Sequence, residues 1–262
     1  MLNNTDKYNI YGNKEFLFIK DTVFLGIVGS RSLLTYTTEV LEDLFFILKD
    51  LNVCVISGGM YGTDILAHNL SIKYKIPTII ILPCGIEVYR KSSLFFNLKQ
   101  SSKLDYCLIS SYPSDFQARK YTFLERNKVI VDWSDMVLVA QSAEKSGSMF
   151  SGNYSLKTTK STYAIPISLE RKQFQGNNIL ISKGAKIYIS SNNFAENFSK
   201  KLILQELNID DFTNLLPSKM DNLCKYLTDY NPSLIEESLL KLILEGKIFY
   251  ENGIYFLENQ KK

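Results

Sequence analysis

A parallel α/β sheet covered on both faces, followed by a smaller unit, is the architecture this 262-residue chain predicts, on three observations. Short apolar runs alternate with stretches of helical length and amphipathic pattern. The runs are apolar nearly throughout, not at every second position, so both faces of each strand must be covered. Glycine- and serine-bearing turns join several runs to the helix that follows. Single domains of such folds run to roughly 200–250 residues, which leaves room for a second, smaller core.

The elements follow in order. Residues 1–22 read as an N-terminal arm mixing Asn, Lys, Asp and Tyr, with no signal-peptide core. Strands are expected at Val23 to Val28, Val53 to Ile56, Thr78 to Leu82, Tyr106 to Ile109, Met136 to Ala140 and Thr162 to Ile165, with a further one at Lys186 to Ile189. Helices are expected near Thr37 to Asp50, Thr63 to Tyr74, Ser92 to Ser101, Thr122 to Trp133 and Met149 to Thr159, with Thr63 and Thr122 as N-caps. In open sheets of this kind ligands sit beyond the carboxyl ends of the strands, where the glycine turns fall.

Hydrophobic content of 45% with 22% charged residues is ordinary for a globular protein. No apolar run approaches the roughly 18–20 residues of a spanning helix, so no membrane contact is expected and the cytoplasm is the default location. Cys54, Cys84, Cys107 and Cys224 are too far apart in sequence to chelate zinc and read as buried thiols. The one histidine, His68, excludes a His-rich metal site; four residues after Asp64, it is expected to contact that carboxylate within its helix. The net charge of +3 identifies no nucleic-acid binder by itself. Arginine placement says more: against 25 Lys there are five Arg, and Arg31, Arg90, Arg119 and Arg126 stand at or beside segments that follow strands. The planar guanidinium suits bidentate phosphate contact, although four unrelated surface ion pairs would give the same pattern.

Three turns carry the chemistry: Gly29-Ser30-Arg31, Ser57-Gly58-Gly59-Met60-Tyr61-Gly62-Thr63-Asp64 and Ser146-Gly147-Ser148. Each leads towards a helix and can aim unpaired backbone N–H groups at an anion. Gly26-Ile27-Val28-Gly29-Ser30-Arg31 lacks the last glycine of the dinucleotide fingerprint, and no Walker sequence is present, so no NAD, ATP or other cofactor is expected.

These turns, taken with His68, Gly85-Ile86-Glu87-Val88-Tyr89, Ser110-Ser111-Tyr112-Pro113, Phe123-Leu124-Glu125-Arg126-Asn127-Lys128, Ala164-Ile165-Pro166 and residues 176–185, resemble the DNA-processing family called DprA or Smf over roughly residues 23 to 200. The chain departs from the family pattern at Arg90, where Pro is usual, and at Ser111, Lys128 and Ile167, which replace Glu, Arg and Gly. The resemblance implies an extended Rossmann-like domain that binds single-stranded DNA without catalysis, protects incoming strands in natural transformation and helps load the recombinase RecA. It also implies a homodimer. The site residues it implies are Gly29, Ser30, Arg31, Ser57, Gly58, Gly59, Gly62, Lys120, Phe123, Arg126, Asn127, Lys128, Ser146, Gly147 and Ser148.

The residue chemistry is consistent with that set. Arg31 can fork onto a phosphate while the N–H groups of Gly58-Gly59 and of Ser146 to Ser148 receive its neighbours. Lys120, Arg126 and Lys128 would extend a basic track, and Phe123 among them can stack on a base, a contact worth about 1–3 kcal/mol; a Phe123 buried in the core is the competing reading. Arg126 and Asn127 can instead fasten loops, and Ser30 and Ser148 can cap the helices after them.

After residue 200 the pattern changes, and residues 201–217 read as a linker. In residues 218–262, amphipathic helices at Met220 to Thr228 and Pro232 to Leu244 precede a strand pair turning at Glu251-Asn252-Gly253, which reads as a small winged-helix-like unit. Its six lysines against seven acids leave one net negative charge, so it is expected to bind protein or itself more than DNA. The rival expectation is an enzyme resembling nucleoside-monophosphate phosphoribohydrolases, which share a Gly-Gly-x-x-Gly-Thr turn; the helix Ile65 to Leu70 lacks their glutamate. A small-nucleotide sensor is the third.

Overall fold

The apolar runs form one eight-stranded sheet in the computed structural model, which describes residues 7–19, 22–95, 102–103, 105–158, 160–196, 212, 215–226 and 232–258. Its strands are β1 (Asn9–Gly12), β2 (Val23–Gly29), β3 (Val53–Gly58), β4 (Thr78–Leu82), β5 (Cys107–Ser110), β6 (Met136–Gln141), β7 (Ser161–Ala164) and β8 (Lys186–Ile187), in the order β1-β5-β4-β3-β2-β6-β7-β8. All pairings are parallel except β1 with β5. The helices between them are α1 (Thr35–Leu48), α2 (Thr63–Lys73), α3 (Ile86–Arg90), α4 (Lys120–Trp133), α5 (Gly147–Lys157) and α6 (Gly176–Ser182).

Alternation along β2 shows why the runs are apolar throughout. Val28 joins Cys54, Ile56, Ile81, Val137 and Val139 in a core closed by Ile130 and Val131 of α4 and Met149 of α5. Leu25 and Ile27, fully buried, point to the other face, where α2 packs on β2 and β3 and α1 buries Leu41, Leu44, Phe45 and Leu48 completely. The strand order reverses beside β2: β3, β4 and β5 run one way from it, β6, β7 and β8 the other. The crevice between the carboxyl ends of β2 and β6 is therefore the topological switch point, where ligands of open α/β sheets bind.

Several local expectations are corrected. The N-terminal arm contributes a strand: β1 pairs with β5 from Asn9↔Ser110 to Gly12↔Cys107, and Tyr8 sets its ring edge against Trp133 at 4.9 Å. Four residues reading Asn-Ile-Tyr-Gly are too short and polar to register as an apolar run, yet an antiparallel edge strand needs no more. Thr63 and Thr122 are not N-caps. Gly62 caps α2 with φ +83°, and Thr63 in its first turn donates through its hydroxyl to Ser30 O at 3.1 Å. Arg119 caps α4, and Thr122 reaches back to it, accepting from Arg119 N at 3.1 Å. His68 does not meet Asp64: its Nε2 donates to Gly58 O at 2.7 Å and its Nδ1 takes the Thr78 hydroxyl at 2.8 Å, which burial reinforces by pushing its pKa down to about 4, so the ring is neutral. The helix expected at Ser92 to Ser101 is present at residues 93–95, and residues 96–101 lie outside the described residues. Cys54, Cys84 and Cys107 are buried free thiols; burial pushes the Cys107 thiol up to about 12.

The chain divides into two units, Met1–Ala195 and Glu196–Lys262. In the second, α7 (Met220–Tyr226) and α8 (Pro232–Leu244) precede a hairpin of β9 (Ile248–Glu251) and β10 (Ile254–Leu257). Asn252 at φ +52° and Gly253 at φ +83° form its turn, as an Asn-Gly pair between apolar strands should. Phe212, Leu216, Leu223, Ile235, Leu239, Leu242 and Ile248 make its core. Of the expected linker, residues 201–211 and 213–214 lie outside the described residues, as do residues 227–228 of the first helix.

Candidate nucleic-acid interface

A cavity of about 250 Å³ opens at the carboxyl ends of β2 and β6. Nine of the fifteen expected site residues line it: Gly29, Ser30, Arg31, Phe123, Arg126, Asn127, Ser146, Gly147 and Ser148. Its volume is below the about 300–1,000 Å³ usual for small-molecule sites, so it encloses only part of a dinucleotide and the remainder must lie along its rim.

The rim and the floor differ in charge and exposure. On the rim, exposed Arg31 holds its guanidinium 5.5 Å from the ring centroid of half-buried Phe123, a cation–π contact that leaves the charge towards solvent. Ser146 caps α5, accepting from Met149 N at 3.1 Å while donating to Ala143 O at 2.7 Å. Gly147 and Ser148 then occupy the first two helical positions, whose N–H groups have no intrahelical acceptor. Ser148 is therefore not the cap, and neither is Ser30, whose Oγ accepts from Ser32 N two residues on while α1 begins after Leu34.

The floor is an ion pair. Arg126 is 6% exposed; its Nη1 lies 3.6 Å from Asp64 Oδ2 and donates to Ile81 O at 3.2 Å, while its Nε donates to Asn127 Oδ1 at 3.0 Å. Asn127 in turn donates through Nδ2 to Gly147 O at 3.2 Å, so one chain of bonds runs from α2 through α4 to the start of α5. Desolvation raises the Asp64 pKa and lowers that of Arg126, each opposed by the other's charge. Arg126 thus ties α4 to α2 and β4 and, paired with Asp64, is not part of an open basic track. Lys120 and Lys128 are exposed on α4 but do not line the cavity.

The second glycine turn also differs from expectation. Ser57, Gly58 and Gly59 are buried and do not line the cavity. Ser57 Oγ donates to Ile27 O at 2.6 Å, and Gly58 is paired in β3 opposite Ile81 with its carbonyl on His68. Any Cβ at Gly58 would fall 1.6 Å from Arg126 Nη1, and one at Gly59 2.7 Å from the Tyr89 ring. Gly62 packs on the first turn instead, where a Cβ would collide with Ser30 O. What this loop presents to the cavity is Met60 and Tyr61, with Asp64 behind them.

Two contributors escape a sequence reading. Gln141, fully buried, accepts from Leu34 N at 3.0 Å and Thr37 Oγ1 at 2.8 Å and donates to Ser32 O at 2.8 Å, tying the Arg31 loop to β6. Its only signal is a polar residue ending an apolar strand. Tyr61, half exposed, reads as a turn residue between glycines. Elsewhere, Arg90 is paired with Glu87 at 2.7 Å and stacks over Tyr11, and Arg119 lies over Phe116, so neither lines the cavity. Among the described residues no cluster of ligating side chains could hold a metal, and no helix is long and apolar enough to cross a membrane.

Comparison with known proteins bears on the family and the fold. The family described as DNA recombination-mediator protein A matches residues 9–199. The DNA processing protein DprA of Bacillus subtilis strain 168 is 29% identical over 201 residues, 74% of this chain and 67% of that protein. Among solved structures, DNA processing protein A of Helicobacter pylori, described for its single-stranded DNA binding mode, aligns with TM-score 0.66 and 26% identity over 74% of this chain and 87% of that one. The Streptococcus pneumoniae DprA structure shares the fold at TM-score 0.66 and 24% identity, covering 72% of this chain and 65% of that one. With the family match spanning the sheet, its switch point and every lining residue of the cavity, this chain belongs to the DNA recombination-mediator protein A family.

Proposed function

We propose that this chain binds single-stranded DNA at the cavity between β2 and β6, as a binding protein without catalysis that protects incoming strands in natural transformation. The observation that carries the reading is the pairing of Arg31 with Phe123 on the rim, beside the N–H groups of Gly147 and Ser148. A phosphate meets the guanidinium and the helix start, and an unstacked base meets the ring. The floor supports the same division: Asp64 and Arg126 offset each other, so a phosphate gains most at the rim and an uncharged base is the better occupant below. Asp64, the carboxylate of the cavity, is held by Arg126 and by Met60 N at 3.4 Å, which fits a structural part better than the general acid/base of a phosphoribohydrolase. The similarity to the Helicobacter pylori protein supports the ligand class.

Ser30, Arg31, Phe123, Gly147 and Ser148 are the residues proposed to touch DNA. Gly29, Gly62, Arg126, Asn127 and Ser146 shape the cavity, Ser57, Gly58 and Gly59 support it from the core, and Lys120 and Lys128 attract the strand at a distance. Loading of RecA and a homodimer complete the proposal by family membership, and the one net negative charge of residues 218–262 supports a protein-interaction or self-association module there.

The test is oligothymidine binding over a salt series. Arg31→Ala is expected to weaken binding and to shallow the log–log salt slope by roughly 0.7 for each phosphate it no longer neutralises, whereas Phe123→Ala weakens it at nearly constant slope. Indifference of the wild type to oligothymidine at low ionic strength, or equal affinity for duplex, would overturn the reading.

A further inference from the structure

We infer that Tyr61 is a second nucleobase platform in the same cavity, supplied by a loop that contributes no cation. The inference rests on the reading of the cavity as a site for unpaired DNA. Residues 57–64 contain no lysine or arginine, and Ser57, Gly58 and Gly59 are buried, so this loop cannot serve the ligand through cations or through its first glycines. It presents a ring instead: Tyr61 is 50% exposed and lines the cavity together with Phe123, which belongs to a different element.

Two restraints hold that ring in place. Its hydroxyl is hydrogen-bonded to Ser93 Oγ at 2.7 Å, which limits the side chain to few rotamers before any ligand arrives. Its successor Gly62, at φ +83°, lies so close to the Arg31 loop that a Cβ there would fall 2.6 Å from Arg31 Cα. Tyr61 is thereby carried beside the rim arginine. An exposed aromatic ring that is already ordered loses little entropy on stacking, and any base offers it a π-face. A strand could then place one base on Phe123 and another on Tyr61 while its phosphate lies at Arg31.

The full chain should be titrated with oligothymidine and with an abasic oligomer of equal length, each over a salt series. Tyr61→Ala is expected to weaken oligothymidine binding by about 5- to 150-fold, the span of one base–aromatic stack, with the salt slope and the abasic affinity unchanged. Tyr61→Phe, which keeps the ring, should stay within about threefold of wild type. A 2-aminopurine in the oligomer should lose less fluorescence on binding Tyr61→Ala than on binding wild type. Wild-type affinity for both oligomers in Tyr61→Ala, or an equal loss on both, would overturn the inference while the single-stranded DNA reading stands. A wild type that fails to bind oligothymidine at all would overturn both.

Discussion

A Cβ placed on Gly58 would lie 1.6 Å from Arg126 Nη1 and 2.3 Å from Asp64 Oδ2, whereas one on Gly147 would meet Asn127 Nδ2 at 3.3 Å and nothing nearer. Both residues stand in Gly/Ser turns at carboxyl ends of parallel strands, and both turns look equally ready to hold a phosphate. In the 57–62 loop glycine makes room for a buried ion pair and a tyrosine ring, and its backbone is closed into β3 and onto His68. In the 146–148 loop glycine keeps a helix start open, with Ser146 satisfying one N–H and leaving two. Glycine in such a turn therefore reports a close approach, and whether protein or ligand makes that approach depends on what is packed above it.

Stability should separate the two loops most sharply. Gly58→Ala displaces Arg126 or Asp64 and breaks their buried pair, which should cost about 3–5 kcal/mol in a denaturant titration, while Gly147→Ala should change stability by less than about 1 kcal/mol. Equal losses would erase the distinction. Arg126→Ala should behave as Gly58→Ala does, because it strands a buried carboxylate, and Arg31→Ala should leave stability within about 0.5 kcal/mol.

A proton should also act on the buried loop alone. Folded His68 titrates at about 4, against 6.5 for an imidazole in water, because burial disfavours its charged form. Between those values the unfolded chain binds a proton that the folded chain refuses, so stability falls as pH drops from about 6.5 to about 4 and this contribution levels off below. The loss should reach up to about 3 kcal/mol, and it should vanish in His68→Gln when denaturation midpoints of the two proteins are compared at pH 7 and pH 5. A wild type and a variant with the same pH slope would contradict the burial argument. The open loop should respond more weakly than the buried one: Ser146→Ala removes the N-cap of α5 and should cost about 1 kcal/mol by thermal denaturation.

Most of the fold was legible because its signals are local. Val53 to Ile56 or Met136 to Ala140 must be covered wherever they lie, and Asn252-Gly253 favours its turn whatever surrounds it. The site was legible as a set of turns and only partly as a surface. Arg31, Phe123 and Ser146 to Ser148 line the cavity as their positions after strands imply. Arg126 offered the same residue type and a similar position, yet its partners Asp64, Asn127 and Ile81 O come from three elements and turn its guanidinium into the floor. Tyr61 gives no sequence signal for the converse reason: between glycines it looks like filler, and its exposure depends on Ser93 and on how Gly62 meets the Arg31 loop.

Residue order alone dictates the succession of strands and helices, the parallel sheet they build, the hairpin near the carboxyl end and the places where the chain turns. These follow from apolar periodicity and turn chemistry, which act between residues a few positions apart. Folding in three dimensions was needed to settle which arginine faces solvent, which glycine loop is open, that His68 supports Gly58 and not Asp64, and that the arm at the amino end adds a strand. Each of those outcomes depends on groups brought together from distant parts of the chain, where burial and pairing compete, and no local pattern records which neighbour will be there.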